Sequence, residues 1–380
     1  MRRLQYAMVG GGNGALIGEV HYIGAQFDHL AEMKAGCFSR HWDKNREAGE
    51  LWGVEEDRIY PDYHTMLEQE AKRTGEDRLD FVVVVTPNSS HYAIVKDIIA
   101  HDFNIVCEKP VTFTVEEAEE LRDLAKKKNL LFGVSYSYGH YAILEQARHM
   151  IQSGMLGKIH TIAAEYPQEW LGLSTALKGK QGMTWRVDPE ICGPSGVIAD
   201  IGTHVEYLIR RVTGLKPVRV LSRLRSIPDY VPVESDAQVF IDYDNGAAGL
   251  FWTSFAMVGK SCCMKVRFYG DKGGMEWNAH DFMELRVDIA GQPTQIWSAN
   301  YDYCDPQARQ SCRLPKGMPE AYHSLFANFY RGYCSHLLAR KAGRDERSFP
   351  YSDIDDGIQG MKFIHACLRS QKQGNTWVEV

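Results

Sequence analysis

A short, largely apolar run, Leu4 to Val9, ends on Gly10-Gly11-Gly12-Asn13-Gly14-Ala15, and this junction restricts the fold of the chain more than any other stretch. The run reads as a buried strand. The glycines let the backbone turn sharply and approach a pyrophosphate lying on the N-terminus of the helix that follows. Gly10-x-Gly12-x-x-Ala15 fits the G-x-G-x-x-G/A dinucleotide fingerprint, with Gly10, Gly12, Asn13, Gly14, Ala15 and Leu16 as the cofactor-facing candidates. A glycine-rich turn that only joins a strand to a helix is the plainer alternative. Context favours the fingerprint: Gly14 to Leu30 has recurring apolar positions and few helix breakers, and a second strand, Ala35 to Ser39, follows at the expected distance.

Strands and helices alternate through the first third. Leu67 to Thr74 is expected as a helix, Phe81 to Thr86 as a valine-rich buried strand, His91 to His101 as a helix, Asn104 to Cys107 as a strand and Thr114 to Lys128 as a helix. That order predicts a parallel sheet with crossover helices. Thr86, Pro87, Asn88 and His91 then fall beyond the carboxyl end of one strand, and Glu108 and Lys109 beyond another, where open α/β sheets bind ligands.

Beyond about residue 137 the pattern changes. Ile159–Tyr166, Val218–Arg225, Ala237–Tyr243, Ala247–Phe255, Met264–Tyr269, Gly274–Asn278 and Met283–Ile289 read as strands between Gly, Asp and Asn turns, which predicts a large, mostly antiparallel sheet. Asp353 to Ser370 reads as a closing helix. With 380 residues the chain exceeds one core, so the expected division is a dinucleotide-binding domain over 1–137 and a substrate-binding α/β domain over 138–380.

Lys and Arg number 43 against 49 Asp and Glu, a net charge of −6 that offers no basic field for nucleic acid. The longest aliphatic run, around Phe81 to Val85, is far short of a bilayer span, and no hydrophobic leader precedes Leu4, so a cytoplasmic protein is expected. Nine cysteines lack any C-x-x-C spacing, and the adjacent pair Cys262-Cys263 suits free thiols better than a disulfide or zinc half-site. The scattered histidines indicate no metal.

Taken in series, the Gly-rich turn, Thr86-Pro87-Asn88, Glu108-Lys109-Pro110 and Asp200-Ile201-Gly202-Thr203-His204 resemble the glucose–fructose oxidoreductase/inositol dehydrogenase (Gfo/Idh/MocA) family across nearly the whole chain. The resemblance implies a Rossmann domain followed by an α/β domain whose open sheet carries the substrate site and often an oligomer interface, so a homo-oligomer is expected. It also implies catalytic roles for Lys109, Asp200 and His204. In this family Pro110 is commonly preceded by a cis peptide.

The residue types suit that chemistry. Oxidising a secondary alcohol needs a base for the hydroxyl proton while a hydride leaves the same carbon, and an imidazole fits the first task. Asp200, four residues before His204, would share its helix face and bind a substrate hydroxyl or orient the ring. The Lys109 ammonium would stabilise a developing alkoxide. The plainer readings are a surface lysine for Lys109, a helix cap for Asp200 and a buried structural histidine for His204.

Substrate contacts are expected from Tyr138 and His140, from Gln168 and Trp170, and from Trp185 and Arg186 in a Thr184–Pro189 segment that resembles family members oxidising pyranosides such as levoglucosan. Core packing is the alternative for the aromatics. The expected partner is a sugar, glycoside or cyclic polyol, oxidised by resemblance at carbon 3 of a pyranoside, with an inositol dehydrogenase or a non-catalytic nicotinamide-binding sensor as alternatives. For the cofactor, the second strand ends in Ser39-Arg40-His41 rather than in an acid that would grip the adenosine ribose, which leaves NADP open, with Arg40 able to accept its phosphate; the resemblance favours NAD, and Arg40 can equally stack on the adenine ring.

Overall fold

The computed structural model describes residues 2–262 and 264–380; Cys263, half of the adjacent thiol pair, lies outside the described residues. Two compact units result. One comprises 1–137 together with 322–358, the other 138–321 together with 359–380.

The first unit is built on five parallel strands, β1 Leu4–Gly10, β2 Ala31–Cys37, β3 Phe81–Val85, β4 Asn104–Cys107 and β5 Phe132–Val134, in the order β2-β1-β3-β4-β5. The second is built on nine, β6 Ile159–Pro167, β7 Pro217–Arg225, β8 Asp236–Tyr243, β9 Ala248–Ser254, β10 Lys265–Gly270, β11 Gly273–Asn278, β12 Glu284–Ile289, β13 Gln295–Ser298 and β14 Val378–Glu379, ordered β13-β12-β11-β10-β6-β9-β8-β7-β14. Only the β6–β9 pair in it is parallel. The helices in chain order are α1 Leu16–Gln26, α2 Trp42–Leu51, α3 Tyr63–Ala71, α4 His91–Ala100, α5 Val115–Lys127, α6 Ala142–Gln152, α7 Trp170–Lys178, α8 Pro189–Cys192, α9 Thr203–Thr213, α10 Pro306–Gln310, α11 His323–Lys341 and α12 Ile354–Lys372. The expected fold class, a Rossmann sheet plus a mostly antiparallel open sheet, is the observed one.

Three differences have physical causes. The β2 strand begins at Ala31 and ends at Cys37, because the Phe38 amide leaves the ladder for the side chain of Asn45 at 2.7 Å. The third helix starts at Tyr63, where Asp62 caps it by accepting from Thr65 N. The chain beyond 138 is also not all of one unit: α11 joins the first. Its Phe329, Tyr330 and Tyr333, spaced for one helical face, sit in the same core as Tyr6 and Phe81. Phe81 stacks on Tyr6 at 5.1 Å and meets Tyr333 edge-on at 5.4 Å. Arg331 adds a two-pronged pair with Asp28, both contacts at 2.9 Å.

Candidate active site

The strand order reverses at β1 and β3, the crevice where sheets of this kind take their ligands. There Gly10, Gly11 and Gly14 hold φ of +81°, +69° and +83°, a region that costs other residues strain. A Cβ at Gly10 would lie 2.8 Å from the Val85 carbonyl, and one at Gly12 would lie 2.8 Å from that of Phe38. Gly18 is tighter still, since its Cβ would stand 1.8 Å from the Gly11 carbonyl. This residue, missed in the fingerprint, lets α1 lie against the loop; its signal is only a glycine one turn into a helix. Asn13, Gly14, Ala15 and Leu16 are exposed, and no side chain caps α1, whose first N–H groups point from this loop. The cradle therefore fits a dinucleotide pyrophosphate, and the backbone of Gly12 to Leu16 would hold it.

The neighbouring strand ends are braced by side chains. His91 is fully buried, with its two ring nitrogens 2.8 Å from the carbonyls of Pro110 and Thr86, so it ties two loops together instead of presenting its ring. Burial lowers its pKa while both carbonyls pull the other way. Ser90 Oγ donates to Thr86 Oγ1 at 2.7 Å.

Glu108 is engaged by the protein on both oxygens. Its Oε1 accepts from Ser135 and lies 2.8 Å from His21 Nε2, while Oε2 accepts from the Lys109 backbone N at 3.2 Å. His21 Nδ1 is in turn 2.7 Å from the Tyr330 hydroxyl. Burial would push the Glu108 carboxyl up, but His21, the Lys109 ammonium and Ser135 together hold it at about 2. Lys109 follows, half-buried, joined to Pro110 by a cis peptide. Neither His21 nor Tyr330 carries a sequence motif, and α11 supplies the second from more than 200 residues away.

In the second unit Asp200 and His204 do not share a regular helix. Residues Ile198–Gly202 form a π-turn, and α9 begins at Thr203. Such turns recur at functional sites. Asp200 is half-buried, with Oδ2 3.6 Å from Arg186 Nε, and the Arg186 guanidinium lies 4.7 Å over the Trp185 ring. His204 is buried, and the Tyr138 ring meets it edge-on at 4.9 Å. Tyr166 donates to the Tyr138 hydroxyl at 2.8 Å, and burial pushes the pKa of that hydroxyl well up. Five of the expected substrate residues thus lie in two groups, Trp185 and Arg186 with Asp200 on the π-turn, and Tyr138 with His204 on the helix that follows it. His140 is buried and meets α9 at Tyr207, 3.4 Å from the hydroxyl. Gln168 is held by its backbone to Ser254 and Met257, and Trp170 packs on Phe255 at 4.7 Å. The helix-cap reading of Asp200 gives way, since Glu234 and Ser195 do the capping: Glu234 Oε1 accepts from Gly196 N and Ile198 N, and Ser195 Oγ from Ala199 N.

Residues 4–136 match the oxidoreductase family with an NAD-binding Rossmann fold, and residues 144–276 match the GFO/IDH/MocA C-terminal domain. The chain belongs to the Gfo/Idh/MocA oxidoreductases. It is 34% identical over 381 residues to the uncharacterized oxidoreductase YfiI of Bacillus subtilis, covering 99% of this chain and 96% of that protein. It is 26% identical over 231 residues to the levoglucosan dehydrogenase of Pseudarthrobacter phenanthrenivorans, 55% of this chain and 58% of the relative. Among solved structures, an inositol dehydrogenase homologue from Azotobacter vinelandii complexed with NAD+ superposes with a TM-score of 0.94 at 34% identity, over 100% of this chain and 98% of that one. An inositol dehydrogenase homologue from Azotobacter vinelandii complexed with NADH and myo-inositol superposes with a TM-score of 0.91 at 33% identity, over 100% of this chain and 98% of that one. The first unit is therefore an NAD-binding Rossmann domain. Among the described residues, no helix is long and apolar enough to cross a membrane, and no group of His, Cys, Asp or Glu could hold a metal.

Proposed function

We propose that this Gfo/Idh/MocA oxidoreductase is a dehydrogenase for a secondary ring hydroxyl of a neutral polyhydroxylated six-membered ring, a cyclic polyol or a pyranose. The observation that carries the reading is the pairing of Asp200 with Arg186 one helical turn before His204, with aromatic faces beside both. The Arg186 charge is already answered by Asp200, which suits an uncharged substrate better than a phosphorylated one.

Bound NAD supplies the hydride acceptor. His204 takes the hydroxyl proton, its ring plane set by the edge of Tyr138. Asp200 accepts from an adjacent substrate hydroxyl, and the ion pair with Arg186 orients that carboxylate. Trp185 offers an exposed face for the C–H side of a ring. Lys109 stabilises negative charge on the oxygen as its proton leaves. Glu108, spent on His21, Ser135 and its own neighbour, fixes the backbone from which Lys109 projects.

The full-length likeness to an inositol dehydrogenase homologue supports a cyclic polyol, and the Trp185–Arg186 pair supports oxidation of a pyranoside, at carbon 3 by resemblance. Following the near-ultraviolet absorbance of NADH across inositols, glucosides, levoglucosan and free pyranoses separates the two. Turnover on inositols alone selects the polyol reading and turnover on glycosides the other, while silence across the panel with NAD bound would favour a non-catalytic sensor.

The outer face of the second sheet supports a homo-oligomer. Leu221, Phe240 and Leu250 stand side by side on β7, β8 and β9, and Phe240 and Leu250 are each 49% exposed. Leu250→Asp is expected to yield monomers by light scattering; an unchanged mass would remove this face from the assembly.

A further inference from the structure

The π-turn that carries Asp200 is closed by one residue from a distant loop. Of the four backbone N–H groups that open this segment, Gly196 N and Ile198 N donate to Glu234 Oε1 at 2.9 and 3.2 Å, Val197 N donates to the Glu234 carbonyl at 3.0 Å, and Ala199 N donates to Ser195 Oγ at 3.3 Å. Ser195 Oγ itself donates to Glu234 Oε1 at 2.5 Å. The first regular helical bond, Asp200 N to Gly196 O at 2.9 Å, forms only after these four. The opening donors of a helix normally look to a cap from their own strand of chain or to water, and here Glu234, two residues ahead of β8, answers three of them.

The approach is close by design of the sequence. A Cβ at Gly196 would lie 2.4 Å from the Glu234 carbonyl, so only glycine admits it. Glu234 is 8% exposed, and the other titratable groups that face it, Cys192 and Cys367, are buried thiols whose pKa values are raised by burial first and then by Glu234 itself. Burial likewise raises the Glu234 carboxyl, against the pull of Ser195, Gly196 and Ile198. A buried acid held by donors from a single segment is placed to govern the geometry of that segment.

We infer that Glu234 is a positioning residue for the Asp200–His204 pair: its carboxylate and carbonyl lock the register of the π-turn, and through it the placement of both side chains. The inference rests on the acid–base reading above. It is tested with Glu234→Gln, Glu234→Ala and Ser195→Ala, with the surface change Glu190→Gln as control. The readouts are kcat, KM, the NAD dissociation constant, the melting temperature and the His204 imidazole resonance, assigned by its loss in His204→Gln. Glutamine keeps an oxygen for the amides, so Glu234→Gln should stay folded with kcat down about tenfold and Glu234→Ala about a hundredfold, the scale of a misplaced catalytic group. NAD affinity should hold in both, and Ser195→Ala should move kcat and the His204 signal in the same direction by less.

A shifted His204 resonance in Glu234→Gln and Ser195→Ala, absent in Glu190→Gln, supports positioning even in a protein that turns over no sugar or polyol. That silence would instead count against the proposed reaction. An unmoved His204 resonance in folded Glu234→Gln, or activity and NAD affinity falling together with the melting temperature, would overturn the inference.

Discussion

Two helices open at the two candidate sites, and they treat their N-terminal amides in opposite ways. In the first unit α1 begins at an exposed glycine loop with no side-chain cap, leaving its dipole and amides facing outward. In the second unit the segment leading into α9 has its opening amides taken up by Glu234 and Ser195. A helix start kept open in this way suits an anionic ligand held by backbone. One that is closed suits side chains held still for chemistry. The first arrangement needs only local glycine, whereas the second needs a buried acid from another part of the chain.

The largest test of this contrast removes a side chain from the closed helix. His204→Asn should lower kcat by about 10²–10⁴, the usual contribution of a positioned acid–base group, with NAD affinity unchanged by fluorescence titration. Lys109→Ala should lower kcat by about 10²–10³ through lost charge stabilisation, again with NAD bound normally. Parallel loss of NAD affinity in either variant would mean that the residue supports the fold or the cofactor rather than the reaction.

The converse test acts on the open helix. Gly18→Ala drives a methyl to within 1.8 Å of the Gly11 carbonyl, and backbone must give way. The strain, about 1–3 kcal/mol for overpacking, should appear as NAD binding weakened roughly 10–100-fold. The His204 resonance should not move, and a change there would break the separation drawn between the two regions.

How far the sequence revealed these regions follows the same division. The open helix was readable because Gly10, Gly12 and Ala15 sit within one turn of chain, and backbone conformation is a local property. Asp200 and His204 were visible as a spaced pair, but the π-turn between them was not, since i,i+4 spacing describes an α-helix. Glu234, Ser195 and the His21–Tyr330 pair were invisible for a different reason. Each acts through a partner far away in sequence, and nothing in composition or periodicity marks which buried polar residue meets which. The return of α11 to the Rossmann core was hidden likewise: its aromatic spacing announces a buried face without naming the sheet it covers.

A third test reaches the charged core behind Lys109. Glu108 is held at about 2 in the folded protein, below the ordinary carboxyl value near 4.5. A depressed acid contributes stability that is present above its unfolded pKa and is lost as pH falls through its folded one. The contribution is on the order of 2–3 kcal/mol. Urea midpoints should therefore show Glu108→Gln well below the wild type at pH 7, the gap narrowing from pH 4.5 downward and closing near pH 2. A gap independent of pH would mean that packing, not charge, is what the carboxylate contributes.

The smallest effect is expected at the adenosine end of the open site. Because Asn45 takes the Phe38 amide and donates to the Tyr60 carbonyl at 2.6 Å, the Ser39-Arg40-His41 turn is held by its flank and carries no acid to grip a ribose. Glu47, the nearby acid, is turned toward the glycine loop, accepting from Asn13 at 3.1 Å. Arg40 is exposed, so its guanidinium is open to a 2′-phosphate but adds little to NAD beyond stacking. Arg40→Ala should leave the NAD dissociation constant within about twofold and weaken NADP about tenfold, the worth of one exposed charge-assisted hydrogen bond. An equal, small change in both would assign Arg40 to the adenine ring, and any binding of NADP would then reflect only the absence of an acid at the end of β2.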